Sequence, residues 1–249
     1  HNRLEVLPQE SFKGLDKLSF LSLAGNKLHY LPGSTFASLK SLKVLDVSCN
    51  ELLEVPDDLV ELRVIESLIL DQNELTRFPD GWRSEIHTKL RVIKISRNRL
   101  PYLPDSFANL EALEHLDVSF NGIRQHLLGV DMSRMVKLKT IKASQNLLGH
   151  LPLGVGNLPC LIEMDLSFNA LKEIHIDDIF GALALAKVAL SHNNLISLHD
   201  PAKTATSGTG SSVEAARCGL RTLDLSYNEL ERLPTTLFTR TSLQVLNCE

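Results

Sequence analysis

The stretch Leu113-Glu-His-Leu-Asp-Val-Ser-Phe-Asn-Gly-Ile123 decides the fold. With Val and Ile standing for Leu it reads L-x-x-L-x-L-x-x-N-x-L. Leu113, Leu116 and Val118 are spaced to give a short strand with one buried face. Asn121 follows, where it is expected to turn the chain out of the strand and to bond to backbone.

The stretch recurs along the whole chain. Its Asn positions are Asn26, Asn50, Asn73, Asn98, Asn121, Asn146, Asn169, Asn193 and Asn228. They are 23–25 residues apart except for the last, which lies 35 residues beyond Asn193. A second phrase, L-P-x-x-(x)-apolar, fills the other half of most repeats: Leu7-Pro8, Leu31-Pro32, Val55-Pro56, Phe78-Pro79, Leu103-Pro104, Leu151-Pro152 and Leu233-Pro234. Proline fixes φ and donates nothing to a ladder, so it ends the strand phase and starts the opposite side. The apolar residue after it, and Leu15, Leu39, Leu62, Leu110 or Leu158, should tuck under the strands as short helices or 3₁₀ turns. Repetition in near-constant phase predicts a parallel-strand solenoid of about ten repeats.

Two repeats depart from the pattern. Arg124–Lys137 has no Leu-Pro and carries Asp131-Met-Ser-Arg-Met135. After Asn193 about eleven residues are added within His199–Gly219, including the run Thr204–Ser212, rich in Gly, Ser and Thr. Such a run cannot bury enough apolar surface to order itself, so 199–219 is read as a flexible insertion in one domain spanning 1–249. Its Ser and Thr residues are either phosphorylation sites or part of a tolerated insertion. Asn2-x-Leu4 reads as the tail of a repeat and Cys248-Glu249 as the start of another, so both ends are expected to be truncated. Cys248 falls at a core position, where a small buried apolar group is expected.

Composition excludes several classes. Lys+Arg 26 against Asp+Glu 30 gives a net charge of -4, without the basic stripe of a nucleic-acid binder. No apolar run reaches the roughly 18 residues of a membrane span, and no signal peptide opens the chain. No catalytic, metal or cofactor motif is present. The histidines show no H-E-x-x-H, Gly208-Thr-Gly210 lacks the Lys of a phosphate loop, and no Ser stands in G-x-S-x-G. The pairs Asp57-Asp58 and Asp177-Asp178 suit helix starts or solvated positions better than catalytic dyads.

The phrases Leu116-Asp-Val-Ser-Phe-Asn121, Leu166-Ser-Phe-Asn169 and Leu223-Asp-Leu-Ser-Tyr-Asn228, with the Leu-Pro pieces, resemble the leucine-rich-repeat superfamily over the whole chain. They are most similar to the cytoplasmic scaffold type, which includes Ras-binding repeat scaffolds, Scribble-like proteins and pleckstrin-homology leucine-rich-repeat phosphatases. The resemblance implies an α/β solenoid, a curved right-handed superhelix with its parallel sheet concave and short helices, 3₁₀ turns and loops convex. It implies a monomeric, non-catalytic module that binds a protein partner on the concave face. Secreted members usually close their ends with cysteine clusters. Cys49, Cys160, Cys218 and Cys248 form none, and the chain has no N-x-[ST] sequon, which favours the cytoplasm and a signalling scaffold. The Leu-Pro…Ser/Thr-Phe pieces also look like extracellular repeats. A receptor or adhesion segment, or the recruiting region of a larger phosphatase or kinase, are the alternatives.

Strand alternation places the intervening residues on the concave face. One column runs through Phe20, Val44, Ser67, Val92, His115, Thr140, Glu163 and Lys187, and the next through Lys94, Asp117, Lys142 and Asp165. The second alternates in sign, which suits either a self-paired charge ladder or a mixed-charge binding strip. Phe120, Phe168, His192 and Tyr227 precede their Asn residues, either as packing at the strand end or as interface anchors. The expected partner site is His115, Asp117, Phe120, Thr140, Lys142, Glu163, Asp165, Phe168 and Lys187, near the centre of the array.

Overall fold

A computed structural model describes residues 2–124, 131–200 and 218–249. The segment 201–217, which holds most of the expected insertion, and 125–130, with His126, lie outside the described residues.

Each L-x-x-L-x-L phrase forms a three-residue strand. In chain order the strands are β1 Phe20–Ser22, β2 Val44–Asp46, β3 Ser67–Ile69, β4 Val92–Lys94, β5 His115–Asp117, β6 Thr140–Lys142 and β7 Glu163–Asp165. Then come β8 Glu173–His175, β9 Lys187–Ala189, β10 Ser197–His199, β11 Thr222–Asp224 and β12 Val245–Asn247. Ten of them make one parallel sheet in the order β1-β2-β3-β4-β5-β6-β7-β9-β11-β12. The register is unbroken: His115 lies beside Thr140, Thr140 beside Glu163, Glu163 beside Lys187 and Lys187 beside Thr222. A residue's place in its repeat therefore fixes its column on the sheet.

The consensus leucines face the opposite way and close the core. Leu45, Val47, Leu68, Leu70, Ile93, Ile95 and Val118 are fully buried. The Leu-Pro segments cover them from the convex side. Pro56, Pro104 and Pro234 sit just before the 3₁₀ helices Asp57–Glu61 and Asp105–Asn109 and the helix α2 Thr235–Arg240, with φ of -58°, -68° and -71°. A ring-locked φ is already helical, and a missing N–H costs nothing at a helix start. The sixth repeat has no such proline. There the Asp131 carboxylate accepts from Ser133 N at 2.9 Å and starts the 3₁₀ turn Met132–Arg134, burying Met132 and Met135. Over the described residues 131–137 the convex side thus differs from its neighbours. Asp57 and Asp58 open their 3₁₀ helix, and Asp177 and Asp178 open α1 Asp177–Phe180.

Three features depart from expectation. Leu15 is exposed rather than tucked under the strands, because it lies on the outer face of the first repeat. Cys248 is exposed rather than buried, beside β12, which pairs with β11. A second, two-stranded parallel sheet joins β8 to β10 on the far side of the array. These strands stand where two consecutive repeats lack Leu-Pro.

Candidate functional site

The Asn ladder positions the concave face. Asn121 Nδ2 donates to Val118 O of its own strand end and to Ile95 O of the strand before, both at 3.0 Å. Its Oδ1 accepts from Leu100 N, in the preceding repeat, at 3.0 Å. The same set recurs from Asn50, with Leu23 O, Val47 O and Leu28 N, to Asn228, with Leu190 O, Leu225 O and Leu195 N. Each amide thus stitches two repeats together at the strand exit. The turn itself is made one residue earlier than the sequence suggests. Cys49, Gln72, Arg97, Phe120, Gln145, Phe168, His192 and Tyr227 all have φ between +53° and +57°. A left-handed non-glycine residue costs about 1 kcal/mol or more and persists only where its surroundings over-determine it. The neighbouring Asn amide supplies that constraint. Every side chain at this position is thereby held at one edge of the sheet.

The expected site residues lie side by side on β5, β6, β7 and β9 or just beyond their ends, and the structure links several of them. His115 Nδ1 is 2.9 Å from Thr140 Oγ1, and Lys187 Nζ donates to Glu163 Oε1 at 2.8 Å. The Glu163 carboxylate holds the Lys187 ammonium above its ordinary range. The Asp117 and Asp165 carboxylates each accept from the backbone N–H of the Ser two residues on, at 3.0 Å, and Ser167 Oγ adds a bond of 2.6 Å to Asp165. Asp46 with Ser48 and Asp224 with Ser226 repeat this Asp-x-Ser turn. Where the column carries Lys94, Asp71 of the preceding repeat takes the Ser96 N–H instead, at 2.6 Å. Burial, the largest cause, pushes the Asp71 carboxyl above its ordinary range.

The self-paired ladder is absent where the sequence placed it. Among the described residues no ion pair joins Lys94, Asp117, Lys142 and Asp165, because these carboxylates are short and each is anchored through Oδ1 to a serine of its own turn. Opposite charges do pair ahead of the first column, at the residue that precedes several of the strands. Lys43 lies 3.3 Å from Glu66, and Glu114 lies 3.7 Å from Arg91 and 2.6 Å from Lys139. Long side chains there can reach across the roughly 4.8 Å between strands. The Lys139 bond is the largest of the causes that hold the Glu114 carboxyl below its ordinary range.

The strand-end residues form a stacked rail. The Arg97 guanidinium carbon lies 4.2 Å from the Phe120 ring centroid. His192 is sandwiched between Phe168 and Tyr227, with centroids 4.0 and 4.1 Å apart. Arg97, His192 and Tyr227 stand outside the expected site, and so do the serines that hold its carboxylates. Their signal was the constant offset from Asn, which puts all of them in one column. A cavity of about 970 Å³ lies elsewhere, away from the concave columns, lined by His150, Lys172, Glu173, His175, Asp177 and Asp178 among others.

Two family models described as leucine-rich repeat match this chain, one at residues 1–52, 20–75 and 63–123 and the other at 219–240. The chain belongs to the leucine-rich-repeat superfamily. No curated protein sequence matches it. Among solved leucine-rich-repeat structures, the LRIM1/APL1C complex superposes with a TM-score of 0.77 at 25% identity, over 100% of this chain and 44% of that one. The ectodomain of the Arabidopsis thaliana membrane receptor kinase GASSHO1/SCHENGEN3, in complex with CASPARIAN STRIP INTEGRITY FACTOR 2, gives 0.74 at 26% identity, over 94% and 27%. The Drosophila Toll–Spatzle complex gives 0.73 at 22%, over 99% and 35%, a likeness of fold alone. The leucine-rich-repeat segment described here thus spans less than half the length of each of these three. No helix among its described residues is long and apolar enough to cross a membrane.

Proposed function

We propose that this segment is a non-catalytic module that binds a protein partner on the concave sheet over β5, β6, β7 and β9. The observation that carries the proposal is a rigid strip of polar side chains edged by fixed aromatics. Phe120 and Phe168 are 40% and 43% exposed, yet their backbones are locked in the left-handed turn. Exposed aromatics that lose little freedom on binding are what interface anchors require. Four free cysteines, three of them exposed, support a place in an intracellular signalling scaffold. A second reading, an extracellular receptor or adhesion segment, is supported by the solved relative whose description names it an ectodomain.

The test is affinity capture with the intact segment, followed by calorimetry of the captured partner. Phe168→Ala with Glu163→Lys should weaken binding by more than about 2 kcal/mol, the scale of a hot spot. Phe20→Ala with Val44→Ala should not. The opposite outcome places the site on β1 and β2. The compartment from which the partner is captured separates the two readings.

A further inference from the structure

At one place the middle concave column carries no charge between two carboxylates. The register sets Asp165, Ala189 and Asp224 side by side on β7, β9 and β11. Ala189 is short, so the column dips at β9 between two longer walls. The dip is edged by the rail of Phe168, His192 and Tyr227, in which Phe168 is 43% and Tyr227 63% exposed. The remaining column positions differ. Asp117 has Lys94 and Lys142 beside it, and Asp46 has Ser22 and Ile69.

Both walls are held in place. Asp165 Oδ1 accepts from Ser167 N and Oγ at 3.0 and 2.6 Å, and Asp224 Oδ1 from Ser226 N and Oγ at 3.1 and 2.7 Å. Neither Oδ2 has a hydrogen-bond partner among the described residues. Two cations border the dip without bonding to its carboxylates. Lys187, on β9, is drawn to Glu163 at 2.8 Å, and Lys142 lies on the far side of Asp165.

Resting on the concave-face reading above, we infer that this surface takes an arginine side chain of the protein partner, with a neighbouring apolar residue laid along the aromatic rail. Charge complementarity selects a cation, because two fixed carboxylates flank a neutral floor one strand away on either side. Geometry selects arginine over lysine. The carboxylates stand two strand spacings apart, roughly 9.6 Å at their Cα atoms. An ammonium that bonds to two acceptors at about 2.8 Å holds them no more than about 5.6 Å apart. A guanidinium donates from both ends of a planar fork and spans more. The carboxylates are already oriented by their serines, so they lose little freedom on binding.

The test uses the intact segment, isotope-labelled for amide NMR, and the peptide acetyl-Gly-Leu-Arg-Leu-Gly-amide with its lysine, citrulline and glutamate analogues. The arginine peptide should shift the amides of Ser167, Ala189, His192 and Ser226. The lysine peptide should bind at least about fivefold more weakly, for want of the fork. The citrulline and glutamate peptides should leave these amides in place. Ala189→Lys should abolish the response. That substitution is tolerated by the fold, since Lys94 and Lys142 occupy the same column on β4 and β6. Asp224→Asn, whose amide oxygen can still accept from Ser226, should weaken binding while preserving the melt. The inference falls if the arginine peptide shifts nothing at millimolar concentration, if citrulline or glutamate shifts the same amides equally, or if Ala189→Lys binds like wild type. The titration needs no partner. It can therefore fail while the calorimetry with Phe168→Ala and Glu163→Lys still locates a partner on the concave face.

Discussion

Replacing Asn121 with Ala removes one rung of the ladder, and the cost can be worked out group by group. Ile95 O loses the Asn121 amide but keeps Asn98 Nδ2 at 3.0 Å. Val118 O likewise keeps Asn146 Nδ2 at 3.0 Å. Leu100 N is different. Its acceptor is Asn121 Oδ1, and no other bonds to it among the described residues. Leu100 is fully buried, so water does not replace the lost acceptor. One orphaned buried donor costs about 1–3 kcal/mol. Any relaxation of the left-handed Phe120 relieves strain and offsets part of this, so about 2 kcal/mol is expected for the whole substitution. For a chain of this size that is a fall in melting temperature of roughly 4–8 °C. Asn121→Asp should cost more than Ala, because a carboxylate would face the Ile95 and Val118 carbonyls. Asn26→Ala should cost less, because the bond its Oδ1 accepts from Leu4 N is exposed. Thermal melts followed by circular dichroism would rank the three. Amide exchange at Leu100 gives a local readout, with protection lost in Asn121→Ala. An unchanged melt with Leu100 still protected would refute the reasoning.

Other outcomes follow from packing and charge. A Cβ on Gly181 would stand 2.4 Å from Gly156 O, so Gly181→Ala should destabilise by about 1–3 kcal/mol, whereas Gly149→Ala, with open space around it, should cost far less. Asp71 has its folded-state pKa raised by burial, so its ionised form is disfavoured in the fold. Asp71→Asn should therefore raise the melting temperature at pH 7, and the gain should shrink as pH falls toward the ordinary carboxylate value and wild-type Asp71 takes up its proton. A gain that persists at pH 3 would contradict this. Glu163→Gln should change stability by less than about 1 kcal/mol in a melt, since its pair with Lys187 is an exposed one.

The sheet and its register were legible because the leucine spacing and the Asn phase fix which residues face the core. Proline marked the convex 3₁₀ helices for the same reason. What the sequence concealed was local. The left-handed residue before each Asn is Gly25 in the first case and thereafter Phe, His, Arg, Gln, Cys or Tyr, none of which announces it. Its conformation comes from the neighbouring repeat's hydrogen bonds rather than from its own propensity. The Asp and Ser columns looked independent, yet they are two ends of one turn, so the charge ladder expected at Lys94–Asp165 dissolved into bonds to serine. The rail of Phe168, His192 and Tyr227 requires contact between residues 24 and 35 positions apart, which only the register supplies. The β8–β10 sheet lies outside the repeat phase, and Ile174, Ile176 and Leu198 fit a loop over the core as well as a strand.

Hydroxyl-radical footprinting of the segment with and without its captured partner tests the concave-face site most directly, because aromatic side chains report on both sides of the solenoid. Phe120 and Phe168 stand at the edge of the proposed site, 40% and 43% exposed, while Tyr30 and Tyr102, 50% and 61% exposed, lie in the segments that follow the Asn turns. Bound partner should suppress oxidation of Phe120 and Phe168 and leave Tyr30 and Tyr102 unchanged. Protection of Tyr30 and Tyr102 with Phe120 and Phe168 still oxidised would contradict the concave-face account.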